Sequence, residues 1–130
     1  MNQETGLQKP RGTKDILPDD QPYWQFVLDC AKNVVLGLGF RQIDTPLYED
    51  KRIFERGVGE GTDIVEKEIF LIENANSSDG ETNDVQYALR PEGTAGVTRS
   101  YIENGMSSWP QPVRLFYTGP MYRRERPQKG

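Results

Sequence analysis

The chain has 130 residues, 35% of them hydrophobic and 28% charged, with a net charge of −4 and a mean hydropathy of −0.75. That length suits one domain with one modest core. With no apolar run of about eighteen residues to span a bilayer and a polar rather than signal-like start, a soluble, cytoplasmic protein with no membrane partner is expected.

In chain order, residues 9–18 (KPRGTKDILP) form an irregular leader between two prolines that carries Arg11 and Lys14. Asp19 or Asp20 then offers a helix N-cap, and Pro22 suits the first turn, where its missing N–H does no harm. Tyr23, Phe26, Val27, Cys30, Ala31, Val34, Val35 and Leu38 recur at helical spacing, which predicts a long helix stopped by Gly39. Cys30, the one cysteine, can make no intrachain disulfide or Cys-based metal site. Lying among Leu28, Ala31 and Val34, it is expected to be a buried structural thiol rather than a reactive one. There is no histidine, so any chemistry must use arginine, lysine, carboxylates and backbone groups.

Residues 40–47 read as an extended segment ended or kinked by Pro46. Residues 52–56 predict a short helix, followed by a bend at Gly57, Gly59 and Gly61. Strands at 68–72 and 85–89 flank a polar loop at 74–84 (NANSSDGETND), making a long-looped hairpin. Residues 94–104 read as a helix closed by Gly105, and 113–118 and 121–126 as two strands joined at Gly119 and Pro120. The expected fold is α+β, a largely antiparallel sheet with the long N-terminal helix packed on it.

Charge is uneven along the chain. Residues 1–110 carry 11 basic and 19 acidic side chains, whereas residues 111–130 hold Arg114, Arg123, Arg124, Arg126 and Lys129 against Glu125 alone. That basic end fits an anionic partner or a solvated strand face. On a strand at 121–126, Arg123 and Glu125 share one face and Arg124 and Arg126 the other. A guanidinium forks onto two oxygens of a phosphate or carboxylate, and a neighbouring carboxylate accepts from an amino group, so Arg123 and Glu125 can grip the two ends of a nucleotide. A cross-strand ion-pair ladder fits the same spacing. In LRPEGTAG, Pro91 keeps Arg90 out of helical geometry and Glu92 falls at a strand-to-helix turn with Thr94 as a candidate N-cap. There Glu92 either complements the helix N-terminus or, with the Thr94 hydroxyl, faces a ligand bearing a protonated amine. Pro46 marks either a strand end or an open sheet edge that a second subunit can extend.

Five segments, RGTKDILP, TPLYED, VEKEIF, LRPEGTAGVTR and GPMYRRERPQKG, occur in an order that resembles the histidyl-tRNA synthetases, over about residues 11–130. By that resemblance the chain is the N-terminal part of a class II catalytic domain, with motif 1 at about 39–50 and the first half of motif 2 at about 113–130. The implied activity of the parent is that of an aminoacyl-tRNA ligase: histidine and ATP give histidyl-adenylate, and the histidyl group passes to tRNA(His). Glu92 and Thr94 match positions that hold the histidine amino group. Arg123 matches the catalytic arginine that contacts the α-phosphate and the amino acid carboxylate, and Glu125 the carboxylate that reads the adenine amino group of ATP. Arg123 would then act electrostatically, offsetting charge that grows on the phosphate. The resemblance further implies Mg²⁺ at the triphosphate with ligands beyond this chain, and a homodimer with Phe40, Ile43 and Pro46 at its interface. Motif 3 and the anticodon-binding domain are absent, so the 130 residues alone are expected to be inactive. Two other readings share the fold: the synthetase-like regulatory subunit of histidine biosynthesis, and a truncated paralogue acting as a binding or dimerisation module. The presence of Arg123, Glu125 and the RPQKG run favours the ligase.

Overall fold

The computed structural model describes residues 6–58, 68–73 and 85–124. The expected polar loop at 74–84, the bend residues Gly59 and Gly61, and Glu125 with the RPQKG run lie outside the described residues.

The first helix, α1, spans Gln21–Gly37, with Asp20 at the N-cap and Pro22 in the first turn. Asp20 makes no side-chain capping bond. The C-terminal end is locally determined: Gly39 takes φ +78°, the Gly39 N–H donates to Leu36 O at 3.0 Å, and the Phe40 N–H donates to Val35 O at 3.0 Å. These two bonds satisfy carbonyls that the helix would otherwise leave open, in the pattern of a Schellman motif. The apolar stripe, however, does not lie on a sheet. No α1 residue is buried, Tyr23, Phe26 and Val34 are largely exposed, and Cys30 is exposed. Both the expected packing of this helix and the expected burial of the thiol are therefore corrected. Seventeen helical residues span about 25 Å, and the neighbouring two-residue ladder is far too short to cover them.

That ladder pairs β1 (Arg41–Gln42) in parallel with β5 (Leu115–Phe116), Arg41 opposite Leu115. The remaining strands, β2 (Tyr48–Asp50), β3 (Leu71–Ile72) and β4 (Tyr87–Leu89), form an antiparallel sheet in the order β2-β4-β3. The hairpin read from the sequence is thus β3-β4, and Pro46 falls between β1 and β2 rather than inside a strand. Residues 121–126 were expected to be a strand; over the described residues 121–124 there is none. Two separate backbone bonds hold this stretch instead, Tyr122 N–H to Arg90 O at 3.0 Å and Arg124 N–H to Glu68 O at 2.7 Å. Gly119 after β5 takes φ +145°, and Pro120 has no N–H with which to continue a ladder.

Helix α2 (Lys51–Val58) takes in Gly57, and its start is set by Asp50, whose carboxylate accepts the Arg52 N–H at 2.9 Å. The Arg52 guanidinium also binds that carboxylate and is the main cause that holds the Asp50 carboxyl below its ordinary value of 3.8. A lowered acid pKa contributes stability above pH 3.8, and that contribution is lost as the pH falls through the lowered value. Helix α3 (Thr94–Glu103) ends at Asn104, with Gly105 left-handed at φ +59°. The core joins α2 to the sheet: Phe54, Ile69 and Ala88 are buried, with Ile53 and Ala95 packed against them. Arg99 ties α3 to β2 by two bonds to Glu49 Oε1, from Nη2 at 2.6 Å and Nε at 3.1 Å, and also binds Glu103. The Glu49 hydrogen bonds are the main cause of a raised Arg99 pKa. Among the described residues no helix is long and apolar enough to cross a membrane.

Candidate functional site

The segment LRPEGT leaves the end of β4 and opens α3, and every element of the candidate site is attached to it. Pro91 is fully buried. Glu92 is half-buried, and its carboxylate accepts the N–H groups of Thr94 and Ala95, the latter at 2.8 Å. Gly93 is the N-cap residue, with no side-chain bond of its own. The helix-capping role of Glu92 is therefore realised. It does not exhaust the group, since a carboxylate offers about four lone-pair positions and two are in use.

Thr94 is exposed, and its hydroxyl lies 3.1 Å from the Tyr117 hydroxyl. Tyr117 follows β5, and its ring occupies the space that a side chain on residue 93 would need. A Cβ added to Gly93 would fall 2.2 Å from Tyr117 Cε2 and 2.7 Å from Cζ. The Gly93 backbone, at φ −101°, suits any residue; only the ring requires glycine there. Tyr117 was not singled out in the sequence. The available signal was the period-two alternation Val113, Leu115, Tyr117, which puts a hydroxyl-bearing ring on one strand face.

Arg123 reaches the same segment from a later stretch of the chain, 32 residues on from Pro91. Its Nε donates to Pro91 O at 2.9 Å, one residue before Glu92, in a part-buried bond, while the residue is exposed. The structure thus brings Glu92, Thr94 and Arg123 to one short stretch of backbone. Glu125 lies outside the described residues, as does Arg126. A groove of about 840 Å³ between α2 and α3 has Glu92 and Thr94 at its lining together with Ile53, Arg56 and Thr98. Arg123 is not part of that lining.

Arg90 holds the arrangement together and was also missed as a site residue. It is only 5% exposed. Its Nε donates to Pro120 O at 3.1 Å, and Nη1 donates to Thr45 O at 3.1 Å and lies 3.3 Å from Thr45 Oγ1. Its own carbonyl accepts from Tyr122, and its N–H donates to Leu47 O at 2.9 Å. One side chain therefore ties Thr45, just before Pro46, to Pro120, three residues before Arg123.

Of the remaining residues singled out in the sequence, Phe40 is half-buried and its N–H is spent on the α1 end. Ile43 is half-buried and donates its N–H to Phe116 O at 3.0 Å, and Pro46 is exposed. They do not adjoin the Glu92 segment through any of these bonds. Among the described residues no three His, Cys, Asp or Glu side chains come together to hold a metal ion.

No family model matches the chain. Curated relatives do. A histidine–tRNA ligase of Dehalococcoides mccartyi is 47% identical over 123 residues, covering 95% of this chain and 28% of the relative. One from Thermosynechococcus vestitus is 47% identical over 125 residues, covering 96% and 28%. Among solved structures, apo histidyl-tRNA synthetase of S. aureus superposes with a TM-score of 0.70 at 34% identity, covering 90% of this chain and 29% of that one. The chain spans about 28% of the length of these curated relatives.

Proposed function

We propose, from this kinship with the histidine–tRNA ligases, that the chain is the first part of a class II catalytic domain that activates histidine with ATP and charges tRNA(His). Motif 1 then covers about residues 39–50, and motif 2 begins at about residue 113. The observation that carries this reading is the meeting of Arg123 with the segment bearing Glu92 and Thr94, its Nε 2.9 Å from Pro91 O.

In the proposed chemistry a histidine carboxylate oxygen attacks the α-phosphorus of ATP, a new C–O–P linkage forms, and pyrophosphate leaves. The histidine ammonium, a donor with no acceptor capacity, is received by the open lone pairs of Glu92 and by the Thr94 hydroxyl. Arg123 contacts the carboxylate and the α-phosphate, drawing the two reactants together and offsetting the charge that builds up during attack. Glu125 is proposed to accept from the adenine amino group. The tRNA 3′ end then displaces AMP from the adenylate. Magnesium belongs to the parent's chemistry in this reading, but the described residues offer it no ligand cluster, so no step is assigned to it. A cytoplasmic homodimer, with Phe40, Ile43 and Pro46 at the contact, completes the proposal; β1 and β2 are both edge strands in their sheets.

ATP–pyrophosphate exchange with each of the twenty amino acids tests the reading. The protein extended to the length of its relatives is expected to exchange with histidine alone, and the 130 residues by themselves only at background. Exchange driven by another amino acid, or none with histidine, would refute it.

A further inference from the structure

We propose that Tyr117 is a positioning residue that sets the polarity of the Thr94 hydroxyl, and through it the affinity for the substrate's ammonium group. This rests on the function proposed above.

A threonine hydroxyl carries one proton and two lone pairs, and it rotates freely unless a neighbour fixes it. An ammonium only donates, so it is bound when a lone pair of Thr94 faces it and repelled when the proton does. The proton therefore needs another acceptor. Among the described residues the hydroxyl oxygen of Tyr117, 3.1 Å away, is the partner of Thr94 Oγ1. When Thr94 donates to Tyr117, both of its lone pairs are turned toward the substrate. Glu92 does not set this orientation, because its carboxylate accepts from the backbone N–H groups of Thr94 and Ala95 and not from the Thr94 hydroxyl.

Two features hold Tyr117 to the task. Its ring is half-buried and rests where Gly93 leaves room, with 2.2 Å between Cε2 and the Cβ that any other residue would place there. Its backbone leaves β5 directly, and β5 is anchored to β1 by the Leu115 and Phe116 pairings. The phenol is thus delivered by the sheet and seated by a glycine, while its hydroxyl meets the first residue of α3.

The test is Tyr117→Phe in the ligase-length protein, which keeps the ring in its seat and removes only the hydroxyl. The expected result is a rise of roughly 5- to 10-fold in KM for histidine, with KM for ATP and the melting temperature unchanged. Adding Thr94→Ala to Tyr117→Phe should raise that KM no further than Thr94→Ala does alone, since both act through one hydroxyl. A KM for histidine that does not move, or one that moves together with the KM for ATP, overturns the role. So do Tyr117→Phe and Thr94→Ala effects that simply add. Wild-type protein that shows no histidine-dependent exchange brings down the ligase reading as well, whereas a functioning wild type with an unaltered Tyr117→Phe variant brings down this role alone.

Discussion

Replacing Arg123 with alanine is expected to lower histidine-dependent pyrophosphate exchange by roughly 100- to 1,000-fold, the range seen when a single preorganised donor to a developing anion is removed. The size follows from what the group does in the proposed reaction. Charge moves onto the α-phosphate oxygens during attack, and a guanidinium already pinned at Pro91 O need not reorganise to meet it. Stability should hardly change. The side chain lies at the surface, where solvent screens its charge, and the loss of its bond to Pro91 O should cost on the order of 1 kcal/mol. Arg123→Lys should recover only a small part of the rate, because an ammonium keeps the charge without the planar fork that addresses two oxygens. Exchange rates measured beside thermal melts separate the two effects; a variant that loses activity only in proportion to lost folding would contradict the assignment.

Arg90→Met is expected to have the largest effect on stability, roughly 2–3 kcal/mol, read as a lower denaturation midpoint in urea. Methionine fills much of the volume but donates nothing, so Pro120 O and Thr45 O lose their donors together. Among the described residues no carboxylate pairs with Arg90, so the substitution leaves no unpaired buried charge behind to enlarge the cost. The consequence for function is separate. The Arg90 guanidinium holds Pro120 O, three residues before Arg123, so the approach of Arg123 to the Glu92 segment depends on that side chain, while the backbone bond from Tyr122 to Arg90 O survives the substitution. Exchange should fall in the fraction that remains folded. Arg90→Lys should not restore it, since one ammonium cannot reach both carbonyls as the fork does.

What was legible in the sequence was largely what is local. The spacing from Tyr23 to Leu38 and the glycine at 39 define α1 because helix periodicity and the C-terminal cap involve neighbours in the chain. The same periodicity names the face that would be buried, but not whether a surface exists to bury it, and so the packing of α1 and the burial of Cys30 were misjudged. The parallel pairing of β1 with β5 was not legible, because it joins two-residue segments far apart in the chain, and neither carries a pattern of its own. Residues 121–124 read as the start of a strand, yet the preceding proline withholds a ladder donor and the stretch is held by isolated bonds to Arg90 and Glu68.

At the site, residue type carried more than pattern did. Glu92 at a strand-to-helix turn admitted a capping role and a ligand role, and the structure realises the first while leaving lone pairs for the second. Arg90 and Tyr117 escaped notice because their importance lies in partners from other segments. Thr45, Pro120 and Thr94 are distant in the chain, and only the folded backbone brings them within reach.

The most direct measurement is a crystal structure of the ligase-length protein with a non-hydrolysable analogue of histidyl-adenylate. The ammonium of the analogue should lie within hydrogen-bonding distance of the Glu92 carboxylate and the Thr94 hydroxyl, with the phosphate mimic on the Arg123 guanidinium. An analogue seated in the α2–α3 groove out of reach of Arg123, or one that leaves Glu92 and Thr94 untouched, would contradict the account.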